Sequence, residues 1–120
     1  MINLSLNFLG NNELISKLYN SYINKKLSNS IIFSGPKGIG KTTASFYIIN
    51  KVYKKLDSKN TNNSNLIYNN THPNIRYIRK MKDEKTNKIK KNITINQIRN
   101  LENFLKQSSF DDMPKFIIID

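Results

Sequence analysis

The chain has 120 residues, room for one small domain or for part of a larger one. It carries 20 Lys and Arg against 8 Asp and Glu, a formal net charge of +12, with one histidine and no cysteine. Those counts exclude a disulfide scaffold, a cysteine-bound zinc ribbon, a catalytic thiol and clustered-histidine metal sites.

Apolar runs such as Ile31-Ile32-Phe33 and Phe116-Ile117-Ile118-Ile119 fall far short of the ~20 residues that cross a bilayer. Residues 1–12 hold no Lys or Arg and no apolar stretch of secretory-signal length. The expectation is a cytoplasmic chain with no membrane partner. The charge has two readings. Isoleucine, asparagine and lysine make up 55 of the 120 residues, and all three have AT-rich codons, so part of the lysine can reflect genome composition. A +12 surface also concentrates anions and favours weak, non-specific association with DNA, or with an acidic partner.

In chain order, Asn11 or Asn12 can cap a helix over residues 13–26, with Leu14, Ile15, Leu18, Tyr22 and Ile23 on one face and Lys25 and Lys26 in its last turn. Residues 30–34 form an apolar run before a glycine turn, the pattern of a buried parallel strand. Three of the four glycines lie in 35–40, which reads as a loop. A helix over 41–56 follows, burying Ala44, Ile48, Ile49, Val52 and Leu56. Residues 57–71 are Asn- and Ser-rich and read as a surface loop or disorder. His72-Pro73 marks a turn, with His72 a turn or packing residue. Ile75, Tyr77 and Arg79 alternate with Arg76, Ile78 and Lys80, which suggests a strand. Residues 79–91 carry seven Lys or Arg around Asp83 and Glu84 and read as an exposed hairpin or loop.

Thr94 and Gln97 have capping-box spacing. The helix they open runs to about 107, with Ile95, Ile98, Leu101, Phe104 and Leu105 on its apolar face. Residues 108–114 form a loop in which Asp111 and Asp112 are solvated, and 115–120 is a second buried strand. Tyr19, Tyr22, Phe46, Tyr47 and Tyr53 are core and helix-flank residues. Alternation of helices and strands argues for an α/β fold with a parallel sheet and flanking helices.

Gly35-Pro36-Lys37-Gly38-Ile39-Gly40-Lys41-Thr42 matches G-x-x-x-x-G-K-[ST] at every fixed position, between an expected strand and an expected helix. In that motif the glycines let successive amides face phosphate oxygens. Lys41 reaches the terminal phosphates, and the Thr42 hydroxyl ligates Mg²⁺. The alternative is a chance glycine turn. Phe116 to Asp120, an apolar strand ending in an acid, has the form of the second element of such a site, its carboxylate directed at the metal.

Phe8-Leu9-Gly10-Asn11-Asn12-Glu13 and the stretch from Ser30 to Thr43 resemble bacterial clamp-loader AAA+ ATPases. His72-Pro73-Asn74-Ile75, Ile93-Thr94-Ile95-Asn96-Gln97-Ile98-Arg99 and Lys115 to Asp120 resemble, in order, segments of the delta-prime group. The resemblance implies a P-loop NTPase (AAA+) fold that stops at the Walker B strand, with 1–120 the N-terminal part of the ATPase domain. It implies a Walker A site of Gly35, Pro36, Lys37, Gly38, Ile39, Gly40, Lys41, Thr42 and Thr43. ATP would bind with Mg²⁺ on Thr42 and Asp120, and no residue has a catalytic role of its own.

It further implies a hetero-oligomer with other clamp-loader subunits that loads a sliding clamp on primed DNA. Many members of the group hold zinc on four cysteines after the P-loop helix. Here the polar stretch 57–71 stands in that place, so no zinc is expected. The group's sheet also inserts a later strand between the P-loop strand and the Walker B strand. Residues 1–120 alone are therefore expected to expose unpaired edges and to fold poorly. A tau/gamma-type motor subunit, a non-hydrolysing stator and a truncated remnant are the alternatives.

Overall fold

The computed structural model describes residues 12–120. The segment with Phe8, Leu9, Gly10 and Asn11 lies outside the described residues. The chain divides into two compact units, one ending at Thr71 and the other spanning His72–Asp120.

The first unit is helical. Helix α1 (Asn12–Ile23) buries Ile15. It ends three residues earlier than the periodicity predicts. Lys26 N donates to Ser21 O at 2.8 Å and Lys25 N to Tyr22 O at 3.0 Å, with Lys25 at φ 57°. These are the paired bonds of a Schellman motif, so Lys25 and Lys26 build the cap instead of the last turn.

Helix α2 (Lys41–Leu56) has the expected bounds. Its buried stripe is Phe46, Ile49, Asn50 and Tyr53, flanked by Val52. The spacing of 46, 49, 50 and 53 is helical, but the stripe is rotated from the one predicted, and Leu56 is exposed. The cause is size: Phe46 and Tyr53 bury far more area than Ala44 could. Lys51 lies 4.5 Å from the centre of the Tyr19 ring, joining α2 to α1.

Residues 57–71 are not the featureless loop expected. They contain helix α3 (Asn63–Tyr68), which buries Asn63 and Ile67. Asparagines supply its scaffolding: Asn63 Nδ2 donates to Asp57 Oδ2 at 3.0 Å, and Ser64 Oγ donates to Asn50 Oδ1 at 2.8 Å. A second Schellman pair, Thr71 N to Leu66 O and Asn70 N to Ile67 O, closes it with Asn70 at φ 56°. Asparagine tolerates that left-handed conformation better than most residues.

The strand expected at 30–34 does not form. The only sheet among the described residues lies in the second unit, and 30–34 has no ladder, with Ile32 91 % exposed. An apolar run becomes a strand only where a neighbour takes its backbone hydrogen bonds.

The second unit is a β-α-β arrangement. Strand β1 (Ile75–Ile78) and strand β2 (Phe116–Ile119) pair in parallel, Ile75 opposite Phe116 and Ile78 opposite Ile119. The parallel sheet predicted from the alternation is thus present as two strands. Strand β2 is half-buried rather than buried on both faces. Between the strands, residues 82 and 89 form an antiparallel bridge, the base of the expected hairpin.

Helix α4 (Ile95–Lys106) opens with the predicted capping box: Gln97 N donates to Thr94 Oγ1 and Thr94 N donates to Gln97 Oε1 at 2.9 Å. Thr94→Ala is expected to destabilise the protein by about 1 kcal/mol in chemical denaturation. Of the five apolar positions expected on its buried face, only Leu101 and Phe104 are buried, while Ile95, Ile98 and Leu105 are exposed. Phe104 is covered by Arg76 and Lys115, whose cations lie 4.4 and 4.8 Å from its ring centre. The Lys115 ammonium donates to the carbonyls of Phe104 and Gln107, where the C-terminal dipole of α4 favours a cation.

The loop at 108–114 contains a 3-10 turn, Phe110–Asp112, with Asp111 and Asp112 both at positive φ. Both aspartates are exposed, as expected. Asn74, 1 % exposed, holds this turn. Its Nδ2 donates to Phe110 O at 2.9 Å and its Oδ1 accepts from Phe110 N at 2.8 Å. Asn74 N in turn donates to Nδ1 of buried His72 at 3.1 Å, the turn role expected of that histidine. Asn74→Ala strands both Phe110 groups and should lower stability by about 2 kcal/mol. Chemical denaturation checks this, with the exposed Asn96→Ala as a control expected to change little.

Candidate nucleotide site

Residues 35–43 come together as one turn leading into α2. Gly38 and Gly40 have φ of 85° and 95°, a region that L side chains avoid. A Cβ at Gly38 would meet no atom within 4 Å, so backbone conformation rather than space calls for glycine there. Ile39 N donates to Pro36 O at 3.4 Å and closes the turn. Lys37 and Ile39 are exposed at its rim, and Thr42 and Thr43 are half-buried in the first turn of α2.

The start of α2 is electrostatically open. Gly40 is its N-cap and supplies no side-chain cap, and intrahelical bonding begins with Ala44 N to Gly40 O at 2.9 Å. The amides of the first turn therefore face outward at the positive end of the helix dipole. The Lys41 ammonium folds back over the turn, donating to Gly35 O at 2.6 Å and Pro36 O at 3.1 Å. A flexible cation, outward amides and two left-handed glycines are the donor set that suits a polyphosphate.

Asp120 belongs to the second unit. Its N donates to Ile78 O at 2.8 Å, which extends the parallel ladder by one bond beyond β2. The Tyr77 hydroxyl donates to Asp120 Oδ2 at 2.7 Å. Burial, then the hydrogen bond to Asp120 and its negative charge, push the Tyr77 hydroxyl above its usual value near 10, against a smaller opposing pull from Arg79. Tyr77 thus stays protonated and donating across the neutral range. In the sequence, Tyr77 reads only as a strand residue. No local sequence signal marks it, because the contact depends on the pairing of β1 with β2.

The Thr42 hydroxyl and the Asp120 carboxylate are hard oxygen donors, the type that suits Mg²⁺. No group of three or more His, Cys, Asp and Glu gathers among the described residues. None of the described helices is long and apolar enough to cross a membrane.

The parallel strand pair with its connecting helix, and a glycine turn opening a second helix, define a small α/β chain compatible with part of an AAA+ domain. Over residues 10–120 the chain matches the family model described as DNA polymerase III, delta subunit, and it belongs to that family. It is thereby of the clamp-loader type, in a family of DNA replication. No curated protein and no solved structure matches it significantly.

Proposed function

We propose that the chain is an ATP-binding clamp-loader subunit of the DNA polymerase III holoenzyme, of the delta-prime kind, acting in the cytoplasm with other loader subunits. The observation that carries the reading is the turn 35–41. Its left-handed glycines, uncapped helix start and the Lys41 ammonium folded over the turn are donors suited to an anion, in a chain of the DNA polymerase III family. The order of the segments around His72, Thr94 and Asp120 favours delta-prime over a tau/gamma-type motor.

In this reading Lys41 exchanges its two loop carbonyls for phosphate oxygens. The amides of the turn and of the first turn of α2 orient the chain of phosphates, and the Thr42 hydroxyl is the turn's ligand for Mg²⁺. Bound Mg-ATP supplies charge neutralisation along the phosphates. The protein's part is positioning, and what the loader gains is a nucleotide-dependent arrangement of subunits that opens the sliding clamp. Calorimetric titration of the protein with Mg-ATP tests it. Saturable one-to-one binding is expected, and the absence of binding would leave the stator reading in its place.

A further inference from the structure

Basic residues are unevenly distributed. Seven of the 13 residues from 79 to 91 are Lys or Arg, against 13 in the remaining 107. Genome composition acts on the whole chain and does not account for this concentration.

The segment is also built. Asp83 N donates to Lys88 O and Lys90 N to Met81 O, both at 2.8 Å, on either side of the bridge between residues 82 and 89. Asp83 Oδ1 accepts from Lys85 N at 2.8 Å and Thr86 N at 3.3 Å, and Asn87 takes φ 57°, which shapes the tip. One of the two local carboxylates is thus turned onto the ribbon's own amides. The six lysines 80, 82, 85, 88, 90 and 91 are solvent-facing, and none has a carboxylate partner among the described residues.

Side chains alternate between the faces of an extended ribbon. The 82–89 register therefore puts Lys80 and Lys82 on one face with Ile89, and Lys88 and Lys90 on the other with Met81. Lys85 stands at the tip. A flat acidic protein surface would engage one face and leave the other cations unused, and protein interfaces are depleted in lysine. A duplex groove has phosphates along both walls, and a two-stranded ribbon fits a major groove ~12 Å wide.

We propose that the 79–91 ribbon is a duplex nucleic-acid contact, inserting between two phosphate strands and reading charge rather than sequence. This goes beyond the proposed function and is independent of the glycine turn at 35–41, which lies in the other unit.

The test measures binding of the protein to a mixed-sequence 20-base-pair DNA duplex by fluorescence anisotropy from 50 to 200 mM salt. Lys82→Gln/Lys88→Gln/Lys90→Gln should weaken binding at least tenfold at the lowest salt and reduce the log–log salt slope by about 2.7, roughly 0.9 for each phosphate that is no longer neutralised. The equal-charge control Lys25→Gln/Lys26→Gln/Lys55→Gln should leave the slope within about 1 of the unsubstituted protein. A single strand of the same length should bind more weakly than the duplex.

As a readout free of substitutions, acetylation of the ribbon lysines in the unsubstituted protein should be slowed by bound duplex more than that of Lys25 and Lys26. If the unsubstituted protein does not bind duplex, the DNA-contact reading falls. If it binds and the ribbon and control variants behave alike, or if polyglutamate displaces the duplex at equal charge, the ribbon assignment falls. Mg-ATP titration of the ribbon variant should match the unsubstituted protein, which separates this result from failure of the nucleotide site.

Discussion

Lys41→Ala is expected to weaken Mg-ATP binding by about 2–3 kcal/mol, roughly 30- to 160-fold, with the fold of the protein retained. The ammonium satisfies two loop carbonyls while it waits, at 2.6 and 3.1 Å. It can therefore move to a phosphate without leaving a charge unsolvated. Alanine removes the one loop cation that reaches inward. Lys37→Ala, which deletes an exposed rim cation, should cost less than about 1 kcal/mol. Lys41→Arg should not rescue, because a planar guanidinium cannot present the compact charge that the turn encloses. Calorimetric titration of the three variants checks the ranking, and equal affinity in Lys41→Ala would remove the turn from the site.

Phe46→Ala should be among the most damaging core substitutions in the first unit, at about 3–5 kcal/mol. Phe46 has no exposed surface and lies on the stripe shared with Ile49, Asn50 and Tyr53. Losing its ring costs both the transfer energy and the cavity left behind. The total stability of a small domain is only ~5–15 kcal/mol, so the variant should unfold at markedly lower denaturant. Leu56→Ala is the contrast. At 49 % exposed, Leu56 should cost less than about 1 kcal/mol, although the apolar periodicity of the sequence places it on the buried side. Denaturation midpoints in urea decide between the two phasings of α2: equal losses would restore the stripe through Leu56.

Local patterns were legible in the sequence and partnered ones were not. Thr94 and Gln97 act across three residues, so their spacing alone specifies the box that the structure contains. The hairpin at 79–91 and the bounds of α2 were legible for the same reason. Residues 30–34 look like a strand in sequence, but the pattern says nothing of which backbone would pair with them.

Helix α3 was missed because its polar composition hides Leu66 and Ile67. Its stability comes from Asp57 and Asn50, residues six and more positions away. Of the candidate site, the turn at 35–41 was readable because glycine identity encodes backbone conformation directly. The contact of Tyr77 with Asp120 spans 43 positions and depends on strand register, which no local window contains.

The clasp of Asn74 on Phe110 also bears on how the second unit assembles. Parallel strands have no tight turn to set their alignment, so chance encounters can join them one position out of step. Asn74 leads directly into β1 and grips the chain 36 residues later, six positions before β2 begins, while its own carbonyl accepts from Phe116 N. That closure is slow, since a long loop must be brought together before any contact rewards it. Once made, it meters the length of chain between the strands, and only the alignment of Ile75 with Phe116 remains in reach. An Asn74 variant should therefore refold with a slower and more heterogeneous time course, because the step that eliminates misaligned pairings has been removed.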